Sequence, residues 1–360
     1  MSNLRINVFP VVQPIGTLYI GKINYSDLFS MSVVDRRHII SDDEVLGIQR
    51  EIKEDKVKQI KKYLTTSEAT FPNSIILNVK NENVVSNTGS VLELKQKDDT
   101  FTIIDGQHRL AGFEDYQGPD FELIVTIFIE LRIDQQAEIF STINSQQTKV
   151  DPSLNVSLIL DDRYFTPRKM IVEIAQSFNY DRESPWYNSI KMLGANRDGF
   201  ISLSAFARPL FELTYPERDW YLIKNAVTVA KNKPADFSFD KDYSMVRYPF
   251  WPFYKNGDSA SVYKILTNYF LALSNILSDD WLNADSILNK TTGYNAIMRL
   301  FKELVPACIE SHSFSYEFFF RMLSPLEKLD GSINSYNYGT SGTYSSNQLY
   351  KDIKEALVQK

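Results

Sequence analysis

The residues best suited to chemistry lie next to one another: Asp105, Gly106, Gln107, His108 and Arg109. A glycine in a turn before a helix leaves backbone N–H groups at the helix start, and such groups bind anions. Arg109 can bind a phosphate through two parallel hydrogen bonds, and His108 can donate a further one. The carboxylate of Asp105 is placed to hold a hydroxyl, a water molecule, a metal ion or Arg109 itself. Residues 105–109 therefore predict a phosphate-binding turn.

The segments on either side of this turn have the pattern of a strand followed by a helix. Residues 101–104 are apolar or β-branched, as in a buried strand. Leu110 and Phe113 recur at helical spacing, which predicts a helix that begins near Gln107. The alternative is an ordinary turn followed by an ordinary surface arginine, because short motifs also match by chance.

Three further polar residues are candidates to face the same ligand. Arg50 follows Gly-Ile-Gln and is placed to point back at a bound phosphate. Residues 135–147 predict a helix whose end carries Asn144 and Gln147. These two amides are either nucleotide ligands or part of a polar loop at the C-terminal end of the helix.

A lysine-rich helix is predicted from residue 53 onward. Its apolar positions 57, 60 and 64 share one face, and acidic residues at 51, 54 and 55 dilute its positive charge. The helix is either an ordinary solvated amphipathic helix or a surface that faces DNA. The lysines that would contact DNA are Lys56, Lys58, Lys61 and Lys62.

The composition is that of a folded, acidic protein. Of the 360 residues, 43% are hydrophobic and 13% are aromatic, which is enough for large cores and argues against global disorder. The formal net charge is -6, whereas proteins that hold DNA by non-specific phosphate contacts are usually basic. Any contact with nucleic acid is therefore expected to be a local patch.

Cysteine and histidine usage argues against two kinds of metal site. Cys308 is the single cysteine, so no intrachain disulfide and no cysteine zinc site is expected, and its apolar neighbours predict a buried thiol. The three histidines lie far apart in sequence, which argues against a multi-histidine site. The first residues lack a signal-peptide pattern, and no apolar run approaches about 18 residues. We therefore expect a cytoplasmic protein with no membrane partner.

The pattern of apolar residues changes near residue 150. Residues 1–150 alternate predicted strands and helices and predict an α+β domain with a mixed sheet. They include a strand over 122–131 that is apolar on both sides and is therefore expected to be buried on both faces. Residues 151–360 are dominated by helical patterns and predict a mostly α-helical domain. Within it, residues 331–346 lack an apolar period and predict a mobile loop. Aromatic residues over 234–258 are expected to pack in the core rather than to stack on bases.

The pentapeptide Asp-Gly-Gln-His-Arg resembles the signature of the DGQHR-domain family. Segments 47–50, 71–77 and 140–150 and the lysine-rich helix are also similar to that family and occur in the same order. The resemblance covers residues 10–155. The family includes DndB, a regulator in DNA phosphorothioation systems, and DpdB, a partner of an enzyme that inserts 7-deazaguanine bases into DNA.

This resemblance implies a ParB/sulfiredoxin-like N-terminal fold, in which a loop with glycine and arginine holds nucleotide phosphates. GmrSD-type restriction proteins have a similar motif with glutamine at the position of His108, and use it to bind and hydrolyse NTP. By resemblance, the amides of Gly106, Gln107 and His108 and the guanidinium of Arg109 would hold the β- and γ-phosphates. Gln107 or His108 would position the attacking water, and Asp105 would orient that water or hold Mg²⁺. Additional contacts to the nucleotide would come from Arg50, Asn144 and Gln147.

On these grounds we predict an NTP-binding protein, an ATPase that uses ATP or another NTP with Mg²⁺, in a DNA-modification or anti-phage system. Its expected partner is the DNA-modifying enzyme of that system, as for DpdB. The alternative is a DndB-like DNA-binding transcriptional regulator without catalysis, which would bind DNA through the lysine-rich helix. A ParB-type nuclease is less favoured, because Asp105 is not part of a carboxylate cluster suited to two metal ions. Assembly into a homo-oligomer is left open by the sequence.

Overall fold

A computed structural model of the chain describes residues 2–34, 38–41, 44–46, 53–146, 151–193, 199–231, 239, 241–339 and 342–358. The chain divides into two compact units, residues 1–149 and residues 150–360. We call them the N-terminal unit and the C-terminal unit. Each has its own hydrophobic core.

The N-terminal unit is built on a mixed sheet. Its strands are β1 (Asn3–Gln13), β2 (Gly16–Asn24), β3 (Ser32–Val34), β6 (Ile75–Val79), β7 (Val84–Asn87), β8 (Val91–Lys95), β9 (Phe101–Asp105) and β10 (Glu122–Ile129), while β4 (His38–Ser41) and β5 (Glu44–Leu46) form a separate antiparallel pair. Among the described residues, the order in the sheet is β3-β9-β6-β10-β2-β1-β8-β7. The pairs β3–β9 and β6–β10 are parallel, and the other neighbours are antiparallel.

Helices cover the central strands of this sheet on both faces. On one face, Leu28, Leu64 and Leu110 are buried against the strands. On the other face, Ile139 and Phe140 pack near the C-terminal ends of β9 and β10. The helices are α1 (Tyr25–Ser30), α2 (Glu54–Leu64), α3 (Gln107–Ala111) and α4 (Ile133–Gln146).

The expectation that the strand over 122–131 is buried on both faces is wrong for its first half. Leu123, Val125 and Ile127 are buried, but Ile124 is 41% exposed. Phe128, on the same face as Ile124, is buried because it packs with Ile139 and Phe140. The second face of β10 is therefore covered only near its C-terminal end.

The C-terminal unit is almost entirely helical. Its helices are α5 (Pro152–Ser157), α6 (Pro167–Tyr180), α7 (Leu203–Glu212), α8 (Trp220–Ala230), α9 (Trp251–Lys255), α10 (Ser259–Ile276), α11 (Thr291–Glu310), α12 (Tyr316–Leu323), α13 (Ser335–Tyr338) and α14 (Thr343–Val358), with a short parallel pair of strands, β11 (Ile190–Lys191) and β12 (Ile201–Ser202). An N-terminal mixed sheet followed by a helical region confirms the predicted α+β class.

Aromatic side chains dominate the core of the C-terminal unit. Trp186, Trp251 and Tyr294 are completely buried. The Tyr294 hydroxyl donates to the backbone carbonyl of Phe206 at 3.0 Å, so its polar end is satisfied inside the core. Within the aromatic segment 234–258, Phe250 and Trp251 are fully buried, which confirms core packing for these two residues.

The segment predicted as a mobile loop, residues 331–346, contains regular structure. Ile333 is completely buried, and its backbone N–H donates to the carboxylate of Asp280 at 3.1 Å. The Asn334 side chain caps α13, and α14 already begins at Thr343. One polar residue of this segment, Asn334, is thus a helix cap, and a cap leaves no apolar period in the sequence. None of the helices in the described part of the chain is long and apolar enough to span a lipid bilayer.

Candidate functional site

The turn between β9 and α3 requires glycine at position 106. Gly106 has a φ of +106°, in the left-handed region that other residues rarely adopt. A Cβ at this position would also lie 3.0 Å from Cγ1 of Ile75, at the start of the neighbouring strand β6. Both the backbone conformation and the close approach of β6 therefore exclude a side chain here.

The guanidinium of Arg109 is engaged by the protein itself. Its Nη1 donates to the carbonyl of Asn73, and its Nη2 donates at 3.0 Å both to the carbonyl of Ser74 and to Oδ2 of Asp105. The side chains of Arg109 and Asp105 are 18% and 30% exposed, so this cluster is largely shielded from water. Arg109 thus links the turn to the residues that precede β6.

The role of Arg109 as a forked phosphate ligand stays a prediction, and the protein itself engages three of the five N–H groups of this guanidinium. The antiparallel pairing of β6 with β9 brings residues 73–74 opposite the turn, and their backbone carbonyls accept hydrogen bonds from Nη1 and Nη2. Arg109 is also not an ordinary surface residue. Of the alternatives for Asp105, the structure selects the ion pair with Arg109.

His108 connects the turn to the start of α2. Its Nε2 accepts a hydrogen bond from the backbone N–H of Lys53 at 3.1 Å, which assigns the ring proton of the neutral imidazole to Nδ1. Burial lowers the pKa of His108, and the positive charges of Lys56 and Lys53 lower it further, against the opposing effect of Asp105. His108 is therefore a neutral imidazole at pH 7, with an N–H group left for a ligand.

The remaining residues of the pentapeptide contribute to packing. Gln107 is only 6% exposed, and its role in positioning an attacking water stays a prediction. The helix that follows is also shorter than predicted: α3 has five residues and ends before Gly112. A side chain on Gly112 would collide with Ile60 of α2, so the glycine permits close contact between the two helices. A single turn of helix contributes little dipole to an anion site.

The lysines of α2 differ in their surroundings. Lys58 pairs with Glu54 at 3.5 Å, and Lys61 pairs with Glu114 at 2.8 Å, while Lys56 is exposed to solvent. The hydrogen bond that Lys61 donates to Glu114 is the main cause of the raised pKa of Lys61. Lys62 is also exposed. Acidic neighbours therefore offset part of the positive charge of the predicted DNA-facing surface.

The three additional nucleotide contacts predicted from the sequence are not seen at the turn: one side chain bonds within its own helix, and the other two residues fall outside the described part of the chain. The Asn144 side chain donates to the carbonyl of Phe140 at 2.8 Å, within its own helix. Arg50 and Gln147 fall outside the residues that the structure describes.

For Mg²⁺, the turn offers the single carboxylate of Asp105, which Arg109 already engages. Among the described residues, no group of three or more His, Cys, Asp or Glu side chains is suited to a metal ion, so we assign no step to Mg²⁺.

A small group of basic residues remains accessible to a ligand: Lys53, Lys56 and His108. We call this group the basic corner. It lies where the first turn of α2 meets the start of α3. Sequence reasoning overlooked Lys53, whose backbone holds His108, and the carbonyls of Asn73 and Ser74. The sequence does show a turn over 71–74 before a strand. It does not show which side chain the backbone carbonyls of that turn will contact, because that depends on the tertiary structure.

Comparison with known proteins gives a family match and a distant structural resemblance. No curated protein matches the chain. A solved structure that it resembles is the C-terminally truncated chromosome-partitioning protein ParB from Caulobacter crescentus, complexed with CTP-γ-S, at 12% identity over 65% of this chain and 98% of that chain, with a TM-score of 0.26. The stretch from residue 8 to residue 186, which includes the turn and the basic corner, matches the model of the DndB family, described as DNA-sulfur modification-associated.

Proposed function

We propose that the protein is a component of a DNA phosphorothioation system and that its N-terminal unit binds a nucleoside triphosphate at the basic corner. The family match over residues 8–186 supports the first part. The observation that carries the second part is the effect of Lys53 and Lys56 on His108: both positive charges act on the same imidazole. A polyphosphate placed there would meet two ammonium groups and a ring N–H.

In this proposal the pentapeptide divides into two roles. Gly106, Asp105 and Arg109 hold the shape of the turn, whereas His108 faces the ligand together with the two lysines. Three positive or hydrogen-donating groups next to one another suit the charge of a triphosphate. Binding would bring negative charge to His108, so the pKa of His108 should rise when the nucleotide binds.

The experiment is a thermal-shift panel with ATP, CTP and GTP on the wild-type protein and on Lys56→Glu and His108→Gln. The control is Lys58→Glu, which makes the same charge change on the same helix at a residue that pairs with Glu54. We expect at least one nucleotide to raise the melting temperature of the wild type and of the control, but not of Lys56→Glu. The proposal fails if no nucleotide changes melting, or if both lysine variants respond alike.

Hydrolysis is the further part of this proposal. Phosphate release by the purified protein, followed for the wild type and for His108→Gln, measures it directly. Turnover by the wild type that His108→Gln removes would support an ATPase. Because Arg109 braces the turn, loss of turnover in Arg109→Ala would not by itself identify a catalytic residue.

The second candidate is a DNA-binding regulator of the same system. It is favoured by the description of the matched family, DNA-sulfur modification-associated, and by the exposure of Lys56, Lys58 and Lys62 on α2. It predicts salt-dependent binding of DNA without nucleotide, weakened about equally by charge reversal at each of these lysines. Binding that weakens only in Lys56→Glu would instead favour the basic corner.

A further inference from the structure

The C-terminal unit contains a cavity of about 550 Å³ that neither the resemblance nor the proposed function uses. Residues of α7, of α11 and of the first turn of α14 line it. Pockets for small molecules usually have volumes of a few hundred to about a thousand cubic ångströms, so this volume suits a small ligand. All of the lining residues belong to the C-terminal unit.

The N-terminal end of α11 opens into this cavity. α11 has 20 residues, and its N-cap, Lys290, makes no side-chain capping bond. Within the described residues, no acceptor is found for the backbone N–H groups of Thr291 and Thr292, both of which line the cavity. Uncapped N–H groups and the positive end of a long helix dipole favour an anion.

Two buried hydroxyl groups give an independent indication of a ligand. Thr292 is 6% exposed and Ser346 is 7% exposed, and both line the cavity. Neither hydroxyl has a hydrogen-bond partner in the part of the chain that the structure describes. Both residues are more than nine-tenths buried, and their unpaired hydroxyls are accessible only from the cavity side, so these hydroxyls are suited to a polar ligand.

The charge of the lining is opposite to that of the whole chain. The lining contains three basic residues, Arg208, Arg299 and Lys302, and one carboxylate, Glu212, which pairs with Arg208 at 3.7 Å, in a protein with a formal net charge of -6. Arg299 is held in place by Asn347, whose Oδ1 accepts from it at 2.7 Å. Lys302 has no ion pair with any described residue. The cavity into which the uncapped helix end opens therefore has an excess of positive charge.

We propose that this cavity binds a phosphate-bearing small molecule of mononucleotide size. Its phosphate lies at the first turn of α11, where it accepts hydrogen bonds from Thr292 and Ser346. Arg299 and Lys302, further along the same helix, add positive charge to the cavity. The apolar part of the ligand lies against Leu213 and Met298, which also line the cavity. This site is separate from the basic corner, and neither depends on the other.

Titration calorimetry of the full-length protein tests the proposal with inorganic phosphate and AMP as probes. The variants are Thr292→Val, which removes one hydroxyl while keeping the shape of the side chain, and Lys302→Glu. Lys264→Glu makes the same charge change at an exposed lysine that does not line the cavity. Lys56→Glu, in the basic corner, separates this site from the proposed nucleotide site.

We expect saturable binding of AMP that weakens about tenfold or more in Thr292→Val and in Lys302→Glu, since a hydrogen bond to a charged group contributes about 1.5–3 kcal/mol. Lys264→Glu and Lys56→Glu should bind AMP as the wild type does. Tighter binding of AMP than of phosphate supports a ligand of nucleotide size, and equal affinity overturns that part. Absence of saturable binding, or loss of binding in Lys56→Glu alone, overturns the proposal without affecting the proposed function.

Discussion

Arg109→Ala is the substitution that best tests whether Arg109 is a brace rather than a phosphate ligand. The guanidinium donates to two backbone carbonyls and to one carboxylate, and its side chain is only 18% exposed. Hydrogen bonds to charged groups contribute about 1.5–3 kcal/mol each, and water replaces part of what is lost at a partly exposed site. We therefore expect the N-terminal unit to lose about 3 kcal/mol of unfolding free energy.

Hydrogen exchange followed by mass spectrometry can measure this loss of stability in the N-terminal unit separately from the C-terminal unit. Peptides that cover β9 and β6 should exchange about a hundredfold faster in Arg109→Ala, because each 1.4 kcal/mol corresponds to about a factor of ten. The four tryptophans, at positions 186, 220, 251 and 281, all belong to the C-terminal unit. Their fluorescence should therefore be unchanged by the substitution.

The matched control is Arg132→Ala. Arg132 also pairs with an aspartate of the N-terminal unit, Asp134, but its side chain is 70% exposed. Exposed pairs contribute little, so we expect a change in exchange of less than about threefold. If Arg109→Ala exchanges no faster than Arg132→Ala, the guanidinium does not hold the turn, and its assignment as a brace is refuted.

Three further outcomes follow from local geometry. Gly106→Ala should destabilise the N-terminal unit by about 2 kcal/mol, because alanine is strained at a φ of +106° and its Cβ would lie 3.0 Å from Ile75; urea unfolding followed by circular dichroism measures this. The pKa of His108 is lowered from 6.5, so its contribution to stability is present above pH 6.5 and is lost as the pH falls through the folded pKa. The urea concentration at the unfolding midpoint should therefore decrease when the pH is lowered from about 7.5 to about 5, and the decrease should be smaller in His108→Gln. Burial raises the pKa of Cys308 to about 11, so Ellman's reagent should not react with the folded protein at pH 8 but should react in urea.

Local patterns predicted the elements around the turn. The apolar run before Asp105 became β9, and the glycine after it became the left-handed residue at which α3 begins. The helical patterns after residue 150 formed helices. These elements depend on the period of apolar residues and on backbone sterics, which a single sequence contains.

Partners across the fold could not be read in this way. Arg109 finds the carbonyls of Asn73 and Ser74 because β6 and β9 are neighbours, and His108 accepts from Lys53 because α2 packs on α3. The internal partners of Arg109 could not be predicted because a guanidinium binds a carbonyl, a carboxylate or a phosphate with similar chemistry, and only the packing decides which one is near.

The sequence by itself determined which residues could bend the chain, carry charge and form apolar faces. The tertiary structure decided which of these polar groups are used internally and which remain for a ligand. The same division applies to the cavity at α11, since Thr292 and Ser346 are 54 positions apart in the chain and come together only when α11 and α14 pack. The physical reason is that hydrogen bonds and ion pairs act over a few ångströms, whereas the chain brings distant residues to that distance only by folding.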